Sequence, residues 1–152
     1  MALDATGILD VVLSYALASG LFDRCNQFEP KSAPGSGITC AVWVDSIMPV
    51  PAASGLSATS VKVTLKQRIY TSMLSQPYDA IDPAVLSAAD NLISVYSGDF
   101  QFGGAVRNVD LLGEFGEALS AQAGYVNIDG KLMRIMDITV PLIISDLWAQ
   151  SP

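Results

Sequence analysis

The chain has 152 residues, enough for one domain with a sizeable core. Its eight Lys plus Arg against fifteen Asp plus Glu give a net charge of −7, which argues against a surface built to neutralise nucleic-acid phosphates or anionic lipid. Charged residues make up 15% of the chain and hydrophobic ones 51%, against about 25% charged in an ordinary soluble domain, so part of the surface is expected to lie against other copies or partners.

MALDATGILD carries no Lys or Arg and so lacks the basic start of a secretory signal, which predicts synthesis and retention in a cytoplasm. Asp4 to Ala18 places Ile8, Leu9, Val12, Leu13, Tyr15 and Ala16 on one wide stripe, predicting a first helix with Asp4 as N-cap and Gly20 as stop. The apolar run from Val11 to Phe22 is broken by Ser14, Ser19 and Gly20 and falls short of the ~20 residues a membrane span needs. No membrane partner is expected. A short extended piece, Leu21 to Phe28, leads into EPKSAPGSG, a loop dense in Pro, Gly and Ser.

Ile38 to Ile47 alternates Ile38, Cys40, Val42 and Val44 with Thr39, Ala41, Trp43 and Asp45, the period of a strand. MPVPAASGLSAT then connects to SVKVTLKQRIY, where Val61, Val63, Leu65 and Ile69 alternate with Lys62, Thr64, Lys66, Arg68 and Tyr70. Connections of that length without structure of their own tend to be functional or mobile. In YDAIDPAVLSAADNLISVYSG a second helix is predicted, capped by Asp82, with Pro83 at its first position, Gly98 at its end, and Val85, Leu86, Ala89, Leu92, Ile93 and Tyr96 as its buried stripe. From Phe100 onward strands are expected again, with a tight hairpin at Asp129-Gly130. The final strand, KLMRIMDITVPLII, is largely apolar on both faces and should be covered on both. Together these elements predict an α+β fold, a mixed, mainly antiparallel sheet with two main helices packed on a face, over residues 1–152 as a single domain.

Catalytic chemistry is hard to assemble from these residues. With no histidine and only Cys25 and Cys40, neither a metal site nor a Cys/His pair is spelled out, and the cysteines read as small buried hydrophobes. Asp79 with Asp82 reads as a helix start, and Glu114 with Glu117 as part of a Gly-rich turn segment. The glycines at 35–37 and 103–104 lack a phosphate-loop context. Met133 and Met136 read as core or interface filler. No catalytic, cofactor-binding or metal residue is expected, and no enzyme.

One face remains. If the two strands pair, Trp43 and Asp45 share their outer side with Lys62, Lys66 and Arg68. That face reads as solvated, as a subunit or partner interface anchored by Trp and Arg, or as a nucleic-acid stacking patch, the last disfavoured by the net charge.

The order of GLFDRCNQFEPKSAPG, ITCAVWVDSIMP, VTLKQRIYTSM, VRNVDLLGEFG and YVNIDGKLMRIMDITVPLIISDLW after a leading helix resembles the tail terminator proteins of long-tailed, non-contractile bacteriophages, in particular siphophages of actinobacteria. The resemblance spans nearly the whole chain and implies a non-enzymatic tail-terminator-like fold. It implies a homo-oligomer, a hexameric ring on the head-proximal end of the tail tube. Such a ring stops polymerisation of the tail tube protein, docks the neck or head-completion protein, and lets double-stranded DNA pass through its lumen as cargo. Its location would be the virion, after assembly in the host cytoplasm. A neck or head-completion protein is the near alternative, and a cellular small-molecule-binding or enzymatic α+β domain the distant one.

Overall fold

The alternation in SVKVTLKQRIY becomes the second longest strand of the protein, β3 (Ala58–Ser72), and the two-face-apolar segment becomes the longest, β6 (Lys131–Ala149). In the computed structural model, which describes residues 2–30, 37–73 and 78–151, these two strands pair antiparallel along almost their whole length at the centre of a six-stranded sheet. On one side follow β2 (Ile38–Pro49), antiparallel to β3, and the short edge strand β1 (Arg24–Asn26), parallel to β2. The other edge of β6 is shared by β4 (Asn108–Val109) and β5 (Ser120–Ile128), both antiparallel to it. The fold is α+β with a mixed, mostly antiparallel sheet.

Helices α1 (Ala5–Ser19) and α2 (Ile81–Gly98) cover one face of this sheet. Ile8, Val12, Leu13 and Ala16 of α1 and Val85, Ala88, Ala89 and Leu92 of α2 meet Cys40, Val42, Val61, Val63, Leu65 and Ile69 in one core. Each such large aliphatic side chain removed from water contributes roughly 1.5–3 kcal/mol. Asp4 caps α1 as expected, accepting from the Gly7 amide at 3.0 Å, and Gly20 ends it with φ 69°. For α2 three expectations fail. The cap position is Ala80, with no side-chain bond; the helix starts at Ile81, so Pro83 is its third residue and not its first; and Asp82 sits inside the first turn facing Arg134 of β6 at 3.0 Å. Leu86 is exposed while Ala88 takes its place in the stripe; Leu86 borders an open hollow between α2 and the β5–β6 end of the sheet, with Val85, Ala123, Arg134 and Met136.

The connection 48–59, expected to lack structure, is tied down. After a 3-10 turn at Pro51–Ala53, the Ser60 amide donates to Ser54 Oγ at 3.0 Å and Ser60 Oγ donates to the Ala53 carbonyl at 2.8 Å. The same Ser60 Oγ accepts from the Asp146 amide at 2.9 Å where β6 bulges, with Asp146 at φ 52°. The loop expected at 29–37 lies, from 31 to 36, outside the described residues. The hairpin between β5 and β6 turns as expected, with Asp129 and Gly130 both at positive φ, 52° and 76°, as a type I′ turn requires.

A proline in a central strand needs a reason, and β6 supplies one. The Pro141 carbonyl accepts from the Asp110 amide at 2.9 Å, so that edge of the residue faces β4 and β5 and not β3. The missing N–H therefore falls in the gap where β5, last paired at Thr139, has ended and β4, first paired at Leu142, has not begun. The chain between them, residues 110–119, crosses the sheet face away from the helices and closes over Lys62.

That closure buries a charge. Lys62 Nζ donates to Asp110 Oδ2 at 3.1 Å and to the Glu117 carbonyl at 2.9 Å, and both side chains are almost wholly buried. Asp110 also accepts from the amides of Glu114 at 2.7 Å and Phe115 at 2.9 Å, which makes it the pivot of the loop. Gly116 passes so close that a Cβ there would lie 3.2 Å from Lys62 Nζ. Burial works to raise the Asp110 carboxyl, but the Phe115 amide, Lys62 and the Glu114 amide outweigh it and hold the group below its ordinary value. A carboxyl depressed in the folded state contributes stability above its unfolded pKa of about 3.9, and that stability is lost as pH falls through the lower folded value. We expect Asp110→Ala to cost about 3–5 kcal/mol in urea unfolding at neutral pH, since it leaves a buried ammonium without its partner. The gap between wild type and variant should narrow as the pH falls below about 4. A pH-independent cost under 1 kcal/mol would contradict this account of the loop.

Candidate functional site

The sheet face away from the helices carries the residues singled out by their alternation, and the register sorts them. Trp43 stands across from Lys66, Ala41 across from Arg68, and Arg68 in turn across from Asp137 of β6. Between Val44 and Ser46 the register shifts, and Asp45 is the extra residue of that bulge, exposed and outside the row it was expected to share. Lys62 is not on the open part of the face, because residues 110–117 cover it. Of the five residues expected at one interface, Trp43, Lys66 and Arg68 are brought together, while Asp45 and Lys62 are not.

Arg68 is engaged within the chain. Its Nη2 donates to Asp137 Oδ2 at 3.0 Å and its Nε to Oδ1, a two-pronged pair. Its guanidinium carbon also lies 5.5 Å from the Trp43 ring centre and 5.8 Å from that of Tyr70. The hydrogen bond to Asp137 dominates its surroundings and raises its pKa further, so it is charged at every accessible pH. The buried Tyr70 phenol is pushed up by desolvation, with Arg68 working against that shift. Beneath this stack Ala41, Tyr70, Met133 and Ile135 make a second, smaller core on the outer face, with Trp43, Val126 and Ile128 at its margin. Both faces of β6 are thus covered over most of its length, as its composition implied.

Lys66 forms no ion pair among the described residues. It borders a shallow polar hollow of about 460 Å³ on β3, β6 and β5, shared with Arg68, Gln122, Asp137 and Thr139. A lone ammonium beside a guanidinium already neutralised by Asp137 suits a single carboxylate from a partner better than a run of phosphates. Among the described residues no group of three His, Cys, Asp or Glu could hold a metal ion, and no helix is long and apolar enough to cross a membrane.

Two features went unread in the sequence. The first is the open edge of β5, a strand whose nine residues SAQAGYVNI hold no charge and no proline and which pairs β6 alone among the described residues. The signal was available, because natural edge strands are blunted by Lys, Pro or a bulge. The second is an apolar tip where β2, β3 and β6 end: Ile47, Met48 and Trp148 are exposed there, and Leu56 in the adjoining connection is 99% exposed. No family model matches this chain, and no curated protein does.

The geometry separates the roles of the bases. Arg68→Ala should cost about 1.5–3 kcal/mol of folding stability, the scale of hydrogen bonds to charged groups, and Asp137→Ala a similar amount. The double variant should cost less than their sum, because the two act as one pair. Lys66→Ala should stay within about 0.5 kcal/mol of wild type. Urea unfolding of the four variants reads all of this, and additive costs for Arg68 and Asp137 would contradict the pairing.

Proposed function

We propose that this chain is a structural protein of a phage tail, a tail terminator that assembles as a hexameric ring on the head-proximal end of the tube. The observation that carries the reading is a pair of unlike, open sheet edges. On one side stands β5, uncharged and unblunted; on the other, β2 beyond Ala41 pairs only β3 among the described residues. A cyclic ring is built from head-to-tail contacts and needs two different complementary patches on every subunit. Strand polarity suits this. From β2 through β3 and β6 to β5 every step is antiparallel, so β5 of one copy laid beside β2 of the next continues the alternation.

The low charge content supports the same reading, since a ring covers surface that a lone subunit would have to solvate. The apolar tip of Ile47, Met48, Leu56 and Trp148 is suited to an end-on partner, the tube protein or the neck protein. Lys66 is left as the rim charge for a neighbouring acid. The net charge of −7 suits a lumen through which duplex DNA slides and is not gripped.

Electron microscopy and light scattering of the purified protein, alone and with tail tubes, test the proposal. Rings of six are expected, and pre-formed rings should arrest growth of the tube protein. Ala121→Lys with Ala123→Lys, which charges an exposed stretch of the β5 edge, should abolish rings and leave the unfolding midpoint unchanged within a few degrees. A protein that stays a single 16.0 kDa subunit at high concentration and on tubes would sink the reading. Rings that survive the double substitution would sink the edge contact.

A further inference from the structure

Cys25 and Cys40 lie side by side. In the parallel pairing of β1 with β2 they are direct partners, and adjacent strands run about 4.8 Å apart, within the roughly 4.4–6.8 Å between Cα atoms that a disulfide spans. Both point to the helix-covered face, where Cys40 is wholly buried and Cys25 half-buried, and both are free thiols. The inner sulfur is held in place. Gln67 Nε2 donates to Cys40 Sγ at 3.2 Å, and the Tyr96 hydroxyl donates to Gln67 Oε1 at 2.6 Å. A polar chain thus runs from α2 through the core to Cys40 and on to Cys25, its accessible end, which is within hydrogen-bond reach of Cys40.

We propose that Cys25 and Cys40 form an oxidative modification site, a cross-strand dithiol that closes to a disulfide on meeting a small disulfide such as oxidised glutathione. The Cys25 thiolate attacks one sulfur of the oxidant, the oxidant's S–S bond breaks, and one glutathione leaves as thiolate and takes up a proton. Cys40 then gives its proton to solvent and attacks the Cys25 sulfur, and the second glutathione leaves. Two protein thiols and one oxidised glutathione become one protein disulfide and two reduced glutathiones, with two electrons passing from protein to glutathione.

The order of attack follows from the surroundings. The hydrogen bond from Cys40 lowers the Cys25 thiol despite partial burial, while the same bond and deeper burial push Cys40 well up, against Gln67. Among the described residues the pair has no further ligand with which to hold a metal, so thiol exchange is the chemistry left to it. Closure would staple β1, a strand of only three residues, to the sheet. Such a pair stays open in a reducing cytoplasm and closes outside it. This inference stands apart from ring formation.

The test is to treat the reduced, folded protein with oxidised glutathione near neutral pH, quench with acid, and read intact mass, free thiols and melting temperature. Wild type should lose two hydrogens and both thiols, keep no glutathione, and melt about 5–10 °C higher until a reductant is added, the scale set by a closed loop of about 15 residues. Cys40→Ser should retain one glutathione on Cys25, and Cys25→Ser should react at least about tenfold more slowly; Cys40→Ala replaces Cys40→Ser if the hydroxyl disturbs the core. Two unreacted thiols in wild type, a lasting glutathione adduct on it, equal rates for the two single variants, or disulfides formed only between chains would each overturn the proposal.

Discussion

A slip of one residue between β3 and β6 would turn Val61, Val63, Leu65 and Ile69 away from both helices and drive Lys66 and Arg68 into the core they cover. Among the described residues nothing else is as widely connected as this ladder. β2 hangs on β3, while β4 and β5 hang on β6, so the register of the central pair sets the position of every other strand. Two kinds of contact hold it. On the helix face the apolar rows of the two strands match; on the other face Arg68 meets Asp137 across the ladder, a pairing that a shifted register would break.

The outer face is then divided by how its charges are handled. At one end Lys62 is sealed by a loop folded around Asp110, an arrangement in which attraction must offset the loss of water around both ions. In the middle Arg68 is neutralised by Asp137 but keeps part of its surface. Lys66 forms no ion pair among the described residues and borders the hollow toward β5. A face that looked mainly basic in the sequence therefore presents, among the described residues, Lys66 beside the hollow toward β5 and Glu29 beside Trp43, with amide, hydroxyl and aromatic groups between them. That is a surface for selective protein contact more than for a polyanion.

Much of the fold could be read from periodicity because the relevant signals are local. Asp4 and Gly20 bracket α1, Asp129-Gly130 turns the hairpin, and the alternation in 38–47 and 60–70 marks two paired strands. What escaped depends on residues far apart in the chain. Lys62 looked exposed since its alternation matches Lys66; only the return of Asp110, 48 positions later, buries it. Asp45 looked aligned with Trp43, and a one-residue bulge, which leaves no mark in the alternation, displaced it. Cys25 and Cys40 showed no recognisable spacing because a parallel pairing, not a motif, makes them neighbours. The α2 cap was misplaced by two residues, Ala80 in place of Asp82, because a 3-10 turn at Tyr78–Ala80 runs straight into the helix and starts it ahead of the Asp-Pro signal.

The central position of β6 also has a consequence during synthesis. Arg68 and Asp137 stand 69 residues apart in the chain, and β6 follows the other five described strands of the sheet in sequence. Until β6 is made, β3 has a partner on one side only, and β4 and β5 have none. A nascent chain of this protein therefore carries a long, half-paired, apolar hairpin of β2 and β3 with an open edge, the kind of surface that chaperones bind and that aggregates when translation stalls. Arrival of β6 converts that liability into the sheet, so the strands that precede it stay half-paired until it is made.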